Sequence, residues 1–308
     1  MGTIVEITVA DKEKPRRIVN ETISKAFAEM TRVEELLSKF NPDSDISKIN
    51  AWAQKYPVKV NPETIYLLGQ AKRFSQLTDG AFDITVEPLL ELWGYCARDK
   101  GRIPPKKQIE ETLNITGYKK IAISQEDNTV LLPHQDMSIA LGGIAKGYAV
   151  DKAIEILKGE GIKNALVNAG GDIYALGKRS KTRKWRVAVQ HPRKADAILT
   201  VLEVEDEAIA TSGDYQRFFE VNGNRYSHII DPKTGYPCEN VPASVTILAK
   251  DCLSADTLAT SIFVLGPQKG LNLVEELNNT EALIVSAEKQ ELDILLSKGL
   301  EGRLSIQR

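Results

Sequence analysis

The sequence predicts an α+β fold of mainly antiparallel sheet and helices, and three observations carry that prediction. Pro15 to Phe40 places apolar residues at helical spacing (Ile18, Ile23, Phe27, Met30, Val33, Leu36, Leu37), which reads as one long amphipathic helix. From Asn164 onward short strands recur, separated by loops rich in Gly, Asn and Pro, which suits antiparallel pairing. No G-x-G-x-x-G follows a strand, so a doubly wound dinucleotide fold is not indicated. A single domain spanning residues 1–308, one compact unit with a central cleft, is expected.

Taken in order, Thr3 to Val9 alternates as a strand and is followed by the long helix. Pro62 opens a second helix through Leu67, Leu68, Ala71 and Phe74, stopped by Asp79-Gly80. Pro104-Pro105 breaks the chain before a short helix, Lys106 to Leu113. Strands follow at 121–124 and 129–132, then a helix from Ile144 to Lys158 ended by Gly159 and Gly161. Strands are expected at 165–168, 172–176, 185–190, 199–204, 218–221, 225–229 and 241–248. Helices at 253–265 and 268–277, a strand at 282–286 and a short terminal strand close the chain.

Composition excludes several classes. With 40 Lys and Arg against 42 Asp and Glu the formal charge is −2, and no basic tract with interleaved aromatics marks a nucleic-acid surface. Lys178 to Lys184 is basic but short and reads as a solvated hairpin tip. Cys96, Cys238 and Cys252 have neither an even count nor metal-ligand spacing, so they are expected to be ordinary, partly buried thiols. No stretch approaches the roughly 20 apolar residues that span a bilayer, and no signal peptide is present.

Three strings carry chemistry. In Ser227-His228-Ile229-Ile230-Asp231-Pro232-Lys233-Thr234-Gly235, Ile229-Ile230 reads as the end of a buried strand and Asp231 to Gly235 as a tight turn. A histidine at such a junction is held rigidly yet accessible, as a reactive group needs; a structural histidine closing the strand fits the same string. Asp231 either orients His228 or holds the turn with Pro232. Ala140-Leu141-Gly142-Gly143-Ile144-Ala145-Lys146 is a glycine turn entering a helix, whose N-terminal partial charge favours phosphate, but it lacks Walker spacing. Lys146 adds a cation one turn in. In Ala255-Asp256-Thr257-Leu258-Ala259-Thr260, Asp256 and Thr260 share a helix face at i and i+4, an oxygen pair of the kind that suits Mg²⁺.

With Thr78-Asp79-Gly80-Ala81-Phe82-Asp83-Ile84-Thr85 and Thr211-Ser212-Gly213-Asp214, these strings resemble the ApbE-type flavin transferases (FAD:protein FMN transferases) over nearly the whole chain. Met1-Gly2-Thr3 resembles the family's first motif. Ser38-Lys39-Phe40, with Asp43-Ser44 and Asn50, resembles its second. The resemblance implies two intimately joined lobes around a flavin cleft. It also implies Mg²⁺-dependent transfer of FMN from FAD to a threonine hydroxyl of a target protein, with release of AMP. Asp256, Thr260 and an oxygen of Gly143 would then bind the metal. Met1, Phe40, Ala81, Phe82, Asp83, Lys146 and the backbone near Ile230 would contact the flavin nucleotide, and His228 is the candidate base. Read without the resemblance, Phe40 is a core residue, Asp83 a helix N-cap, and Thr211 to Asp214 either a cleft wall or a turn.

The implied acceptor is a subunit of a membrane redox complex, and the implied location is the extracytoplasmic or periplasmic face. The family's first motif normally follows an export signal, so a mature or trimmed chain is expected here. One position departs from the family: Ala140 stands where an aspartate usually contacts the dinucleotide. The same cleft would also serve an FAD diphosphatase or a flavin-binding protein without turnover, and Ala140 lends weight to the latter.

Overall fold

The computed structural model describes residues 2–95, 101–238, 242–288 and 291–304. Along the chain run β1 (Val5–Val9), α1 (Arg16–Leu37), α2 (Asp45–Trp52), β2 (Val58–Lys59), α3 (Pro62–Leu77), α4 (Glu87–Leu92) and α5 (Lys106–Leu113). Next come β3 (Ala122–Ser124), β4 (Thr129–Leu131), α6 (Ala145–Gly159), β5 (Ala165–Ala169), β6 (Asp172–Leu176), β7 (Trp185–Gln190), β8 (Ile198–Val204) and β9 (Glu207–Gly213). The last are β10 (Phe218–Val221), β11 (Asn224–Ser227), β12 (Ser244–Ala249), α7 (Cys252–Leu265), α8 (Pro267–Glu276), β13 (Glu281–Glu288) and β14 (Glu291–Leu296). Contacts divide the chain into two compact units. One comprises Met1–Glu34, Gly143–Tyr215 and Val241–Arg308; the other comprises Glu35–Gly142 and Gln216–Asn240.

The first unit is built on a seven-stranded sheet, β1-β5-β6-β9-β12-β13-β14, whose neighbours all pair antiparallel. The pleat gives it two different faces. Ile209 lies opposite Leu248 in the β9–β12 ladder. With Ala175, Leu283 and Val285 they join Trp185, Val187 and Leu202 of the separate β7–β8 ribbon in one apolar core. The other face carries small residues on β9, Ala208, Ala210 and Ser212, so helices pack close to it. Helices α6 and α7 lie there, against β5, β6, β9 and β12.

These two helices meet at their first turns. A Cβ built on Gly147 would stand 2.2 Å from the carbonyl oxygen of Cys252, so only glycine permits the approach. Each helix then supplies a carboxylate to the other's N-terminus. The two Asp151 oxygens, from α6, accept the Cys252 and Leu253 N–H groups at 2.8 Å each. Asp256, from α7, accepts the Gly147 N–H at 3.2 Å. Asp251, the residue before α7, caps it in addition through the Ser254 N–H at 2.8 Å.

The second unit holds the β2-β4-β3 sheet, the β10–β11 ribbon and helices α2 to α5. Ser44 caps α2 by accepting the Ser47 N–H, and Asp45 fastens α2 to the start of α3 through the Asn61 N–H and the Thr64 hydroxyl, both at 2.7 Å. Asn50 exchanges hydrogen bonds with both backbone groups of Ile139, at 2.8 and 3.0 Å. Leu89, Trp93, Tyr95, Ile109 and Ile230 form the apolar cluster beneath the ribbon, whose Phe219 and Tyr226 stack at 5.1 Å.

Most expected elements are present, several to the residue, and five readings change. Glu207–Gly213 is a central strand, so Thr211-Ser212-Gly213 is not a turn: its small residues lack the apolar signature of a strand. Strand β11 ends at Ser227; Ile229 and Ile230 are buried beyond it, Ile230 by a bridge to Pro237. Helix α1 stops at Leu37, and Phe40 is 74% exposed rather than in the core. Helices α2 and α4 were not expected from apolar spacing, being short. Lys178 to Lys184 joins β6 to β7 and is largely exposed, as expected, but the two strands lie in different sheets, so it is not the tip of a hairpin between them. Cys238 is half-buried and Cys252 buried, while Cys96 lies outside the described residues.

The reciprocal caps make a stability prediction. Asp151→Ala strips two buried helix N–H groups of their acceptor and is expected to cost about 2 kcal/mol or more. Asp151→Asn, which keeps one acceptor oxygen, is expected to recover about half of that. Urea denaturation midpoints of the three proteins, compared at constant slope, check this.

Candidate functional site

In the first unit the functional side chains converge where α6 and α7 begin. The pleat that buries Ala208 and Ala210 also points Asp172 and Ser212 toward the helices. Lys146, in the first turn of α6, places its ammonium against Asp172 and 3.3 Å from Asp256. Asp172 and Asp256 are almost wholly buried. Thr260, one turn beyond Asp256, has its hydroxyl 3.3 Å from that of Ser212. Burial works against the Lys146 charge, but the Asp256 and Asp172 carboxylates outweigh it and hold the ammonium above the ordinary lysine range. Burial, and then the Asp256 charge, push the Asp172 carboxyl up to about 7 against the pull of Lys146. Two buried carboxylates thus face one ammonium.

The N-cap residue of α6, Ile144, makes no side-chain cap, and among the described residues the side chain that accepts from the first turn is Asp256, through the Gly147 N–H. Gly143 stands in the turn just before it. Gly142 is exposed, has an ordinary negative φ, and no described atom lies within 4 Å of a Cβ built on it. Neither backbone strain nor packing inside the protein therefore explains this glycine, whereas close approach of a ligand does.

In the second unit His228 follows β11 and is half-buried. Its Nδ1 lies 3.1 Å from the carbonyl oxygen of Arg217, which also accepts the His228 N–H at 3.0 Å. A carbonyl only accepts, so Nδ1 carries a ring proton in this contact. Arg217 is itself tied down by its guanidinium, 2.7 Å from the Tyr95 carbonyl oxygen. Asp231 accepts the Lys233 N–H at 2.8 Å in an Asx turn, while its backbone oxygen accepts from Gly235 at 2.8 Å. Asp231 thus holds the turn, and Arg217 supplies a contact that orients His228. Gly235 has φ +76°, and a Cβ there would meet Ile109 at 2.6 Å, so the turn requires glycine twice over.

Of the candidate flavin contacts, Ala81, Phe82, Asp83 and Ile230 are buried in this unit, whereas Phe40 is exposed beside the Lys39 ammonium at 5.1 Å. Met1 lies outside the described residues. Asp83 caps the turn Ile84–Val86 through the Thr85 N–H at 2.8 Å and takes the Tyr118 N–H at 2.7 Å, the N-cap geometry. Burial raises its carboxyl, against these hydrogen bonds and the Lys120 charge. Ala140 is half-buried and donates its N–H to Ile84 at 2.8 Å.

Sequence reasoning missed Asp172 and Arg217, and it named Ser212 only as part of a cleft wall or a turn, without its pairing to Thr260. The i, i+4 rule exposed Asp256 and Thr260 because both lie on one helix; Asp172 and Ser212 reach them through strand register, which no local pattern records. Among the described residues no group of three or more His, Cys, Asp or Glu is arranged to hold a metal, so any metal set here includes hydroxyl or backbone oxygens.

The chain is similar to known proteins along most of its length. A protein from Vibrio cholerae named FAD:protein FMN transferase is 36% identical over 258 residues, covering 83% of this chain and 76% of that one. The ApbE protein of Thermotoga maritima superposes with a TM-score of 0.87 at 37% identity, covering 98% of this chain and 96% of that one. The flavinyl transferase ApbE of Pseudomonas stutzeri, in its apo form, gives 0.86 at 32% identity, covering 98% and 94%. The model of the ApbE family matches residues 1–284, and the chain belongs to that family.

Proposed function

We propose that this protein is a Mg²⁺-dependent FAD:protein FMN transferase, which moves FMN from FAD onto a threonine hydroxyl of an acceptor protein and releases AMP. The observation that carries this reading is the oxygen set of Asp172, Asp256 and Thr260 at the N-terminus of α6. The names of the family's similar members support it. The donors fit the metal: all are hard oxygens, and two carboxylates against one ammonium leave room for further positive charge. Asp256, Thr260 and the Gly143 carbonyl would hold it. When bound, Mg²⁺ would neutralise charge developing on the phosphates.

The remaining work falls to the chain itself. The first N–H groups of α6 and the bare backbone at Gly142 receive the diphosphate, beside Lys146. The imidazole of His228 takes the proton as the acceptor threonine oxygen attacks the phosphorus on the FMN side. The diphosphate phosphorus–oxygen bond breaks, and its electron pair leaves with AMP. Phe40, Ala81, Phe82, Asp83 and Ile230 are assigned to the flavin side. By the same resemblance, the acceptor is a subunit of a membrane redox complex and the reaction takes place at the extracytoplasmic face. No helix among the described residues is long and apolar enough to cross a membrane.

Mass spectrometry of a mixture of protein, FAD, Mg²⁺ and a target carrying a flavinylation sequence tests the reading. A mass increment of FMN on the target is expected; free FMN with AMP would mean water is the acceptor, and unchanged FAD would mean a binding protein. Asp256→Ala is expected to abolish Mg²⁺-dependent turnover while the circular dichroism spectrum stays unchanged. His228→Ala is expected to lose about 10²–10⁴-fold in transfer, to retain most FAD affinity, and to lack the rise in rate with pH shown by the unsubstituted protein. Loss of FAD binding, with transfer unchanged at saturation, would make the imidazole a binding group instead. Ala140→Asp is expected to raise FAD affinity or turnover by about ten-fold or more, the size of one charged hydrogen bond.

A further inference from the structure

Helix α7 carries four hydroxyls, and three of them, on Thr257, Thr260 and Ser261, behave differently. Thr257 donates to the Leu253 carbonyl at 2.8 Å and Ser261 to the Thr257 carbonyl at 2.6 Å, so both protons return to the helix one turn back. Thr260 does not follow them. Its hydroxyl lies 3.3 Å from Ser212 Oγ, and among the described residues neither side chain has another hydrogen-bond partner.

We propose that Ser212 is a positioning residue for the cation site: its Oγ accepts the Thr260 proton and so turns the Thr260 lone pairs toward the metal beside Asp256. This rests on the metal-binding reading above. A hydroxyl that ligates a cation cannot aim its proton at it, so the proton needs an acceptor on another side. Ser212 supplies one from the sheet, and at 8% exposure water has little access to replace it. Strand register makes the choice specific. Thr211, the neighbouring residue, points to the opposite face and bonds Thr246 at 2.9 Å. The pairing of Ser212 with Val245 in the β9–β12 ladder thus fixes the serine as the hydroxyl that faces α7.

Partners behind a metal ligand typically change affinity about 10–100-fold when removed. The test is Mn²⁺ binding to the full-length protein without FAD, read from the loss of the free-ion electron paramagnetic resonance signal and reversed by Mg²⁺. Ser212→Ala is expected to weaken Mn²⁺ binding about ten-fold or more at an unchanged denaturation midpoint, with Ser212→Thr restoring it. Ser212→Cys, of similar size but a weaker acceptor, is expected to fall between them and guards against misfolding of the alanine variant. Wild-type affinity in the alanine and cysteine variants, with binding lost in Asp256→Ala, would overturn the role of Ser212 and leave the metal site standing. Binding unchanged in Asp256→Ala, or absent in the unsubstituted protein, would overturn the metal site and this role together.

Discussion

The meeting of two helix N-termini is the constraint on which the first unit depends. Each such end carries a partial positive charge, and bringing α6 and α7 together at Gly147 and Cys252 sets like against like. Carboxylates resolve the conflict: Asp151 and Asp256 cross over to cap the partner helix. Asp256 therefore has two tasks, with one oxygen on the Gly147 N–H and the other beside Lys146. A charge that the fold must bury to join two helices is also the charge that a cation would seek. The small side chains of β9 belong to the same arrangement, since larger ones would hold the helices away from Asp172 and Ser212.

The second unit meets a different demand, which is to fix one imidazole, and backbone takes part in this. The Arg217 carbonyl accepts from Nδ1 of His228, and the turn after it is fastened by Asp231, by the Trp93 indole N–H on the Gly235 carbonyl at 2.8 Å, and by the packing of Gly235 against α5.

Legibility in the sequence followed how local the determining forces are. Helix α5 was readable to the residue because Pro105 marks its start, and β7 because its residues alternate cleanly between buried and exposed. Strand β9 was not, although it is central: Ala208, Ala210, Ser212 and Gly213 are small because helices press on them, and Thr211 to Asp214 read as either a cleft wall or a turn. Asp256 and Thr260 could be paired from their spacing alone. Lys146 could be located, but not its two carboxylate partners, because Asp172 and Asp256 come from a strand and a helix far away in sequence. Asp231 carried two readings until its hydrogen bonds assigned it to the turn.

The order of the strands has a consequence for how the protein is made. β12 lies between β9 and β13 in the middle of the large sheet, yet it follows nearly all the other strands in the chain. A polypeptide emerging from the ribosome therefore has β1, β5, β6 and β9 long before the strand that completes their ladder, and Lys146 and Asp172 before Asp256 and Thr260. Long-range pairing of this kind is slow and leaves strand edges unprotected while it waits. Asp256 and Thr260 join Lys146 and Asp172 only once β12 and α7 have been made, so assembly of this cluster and completion of the sheet become one event.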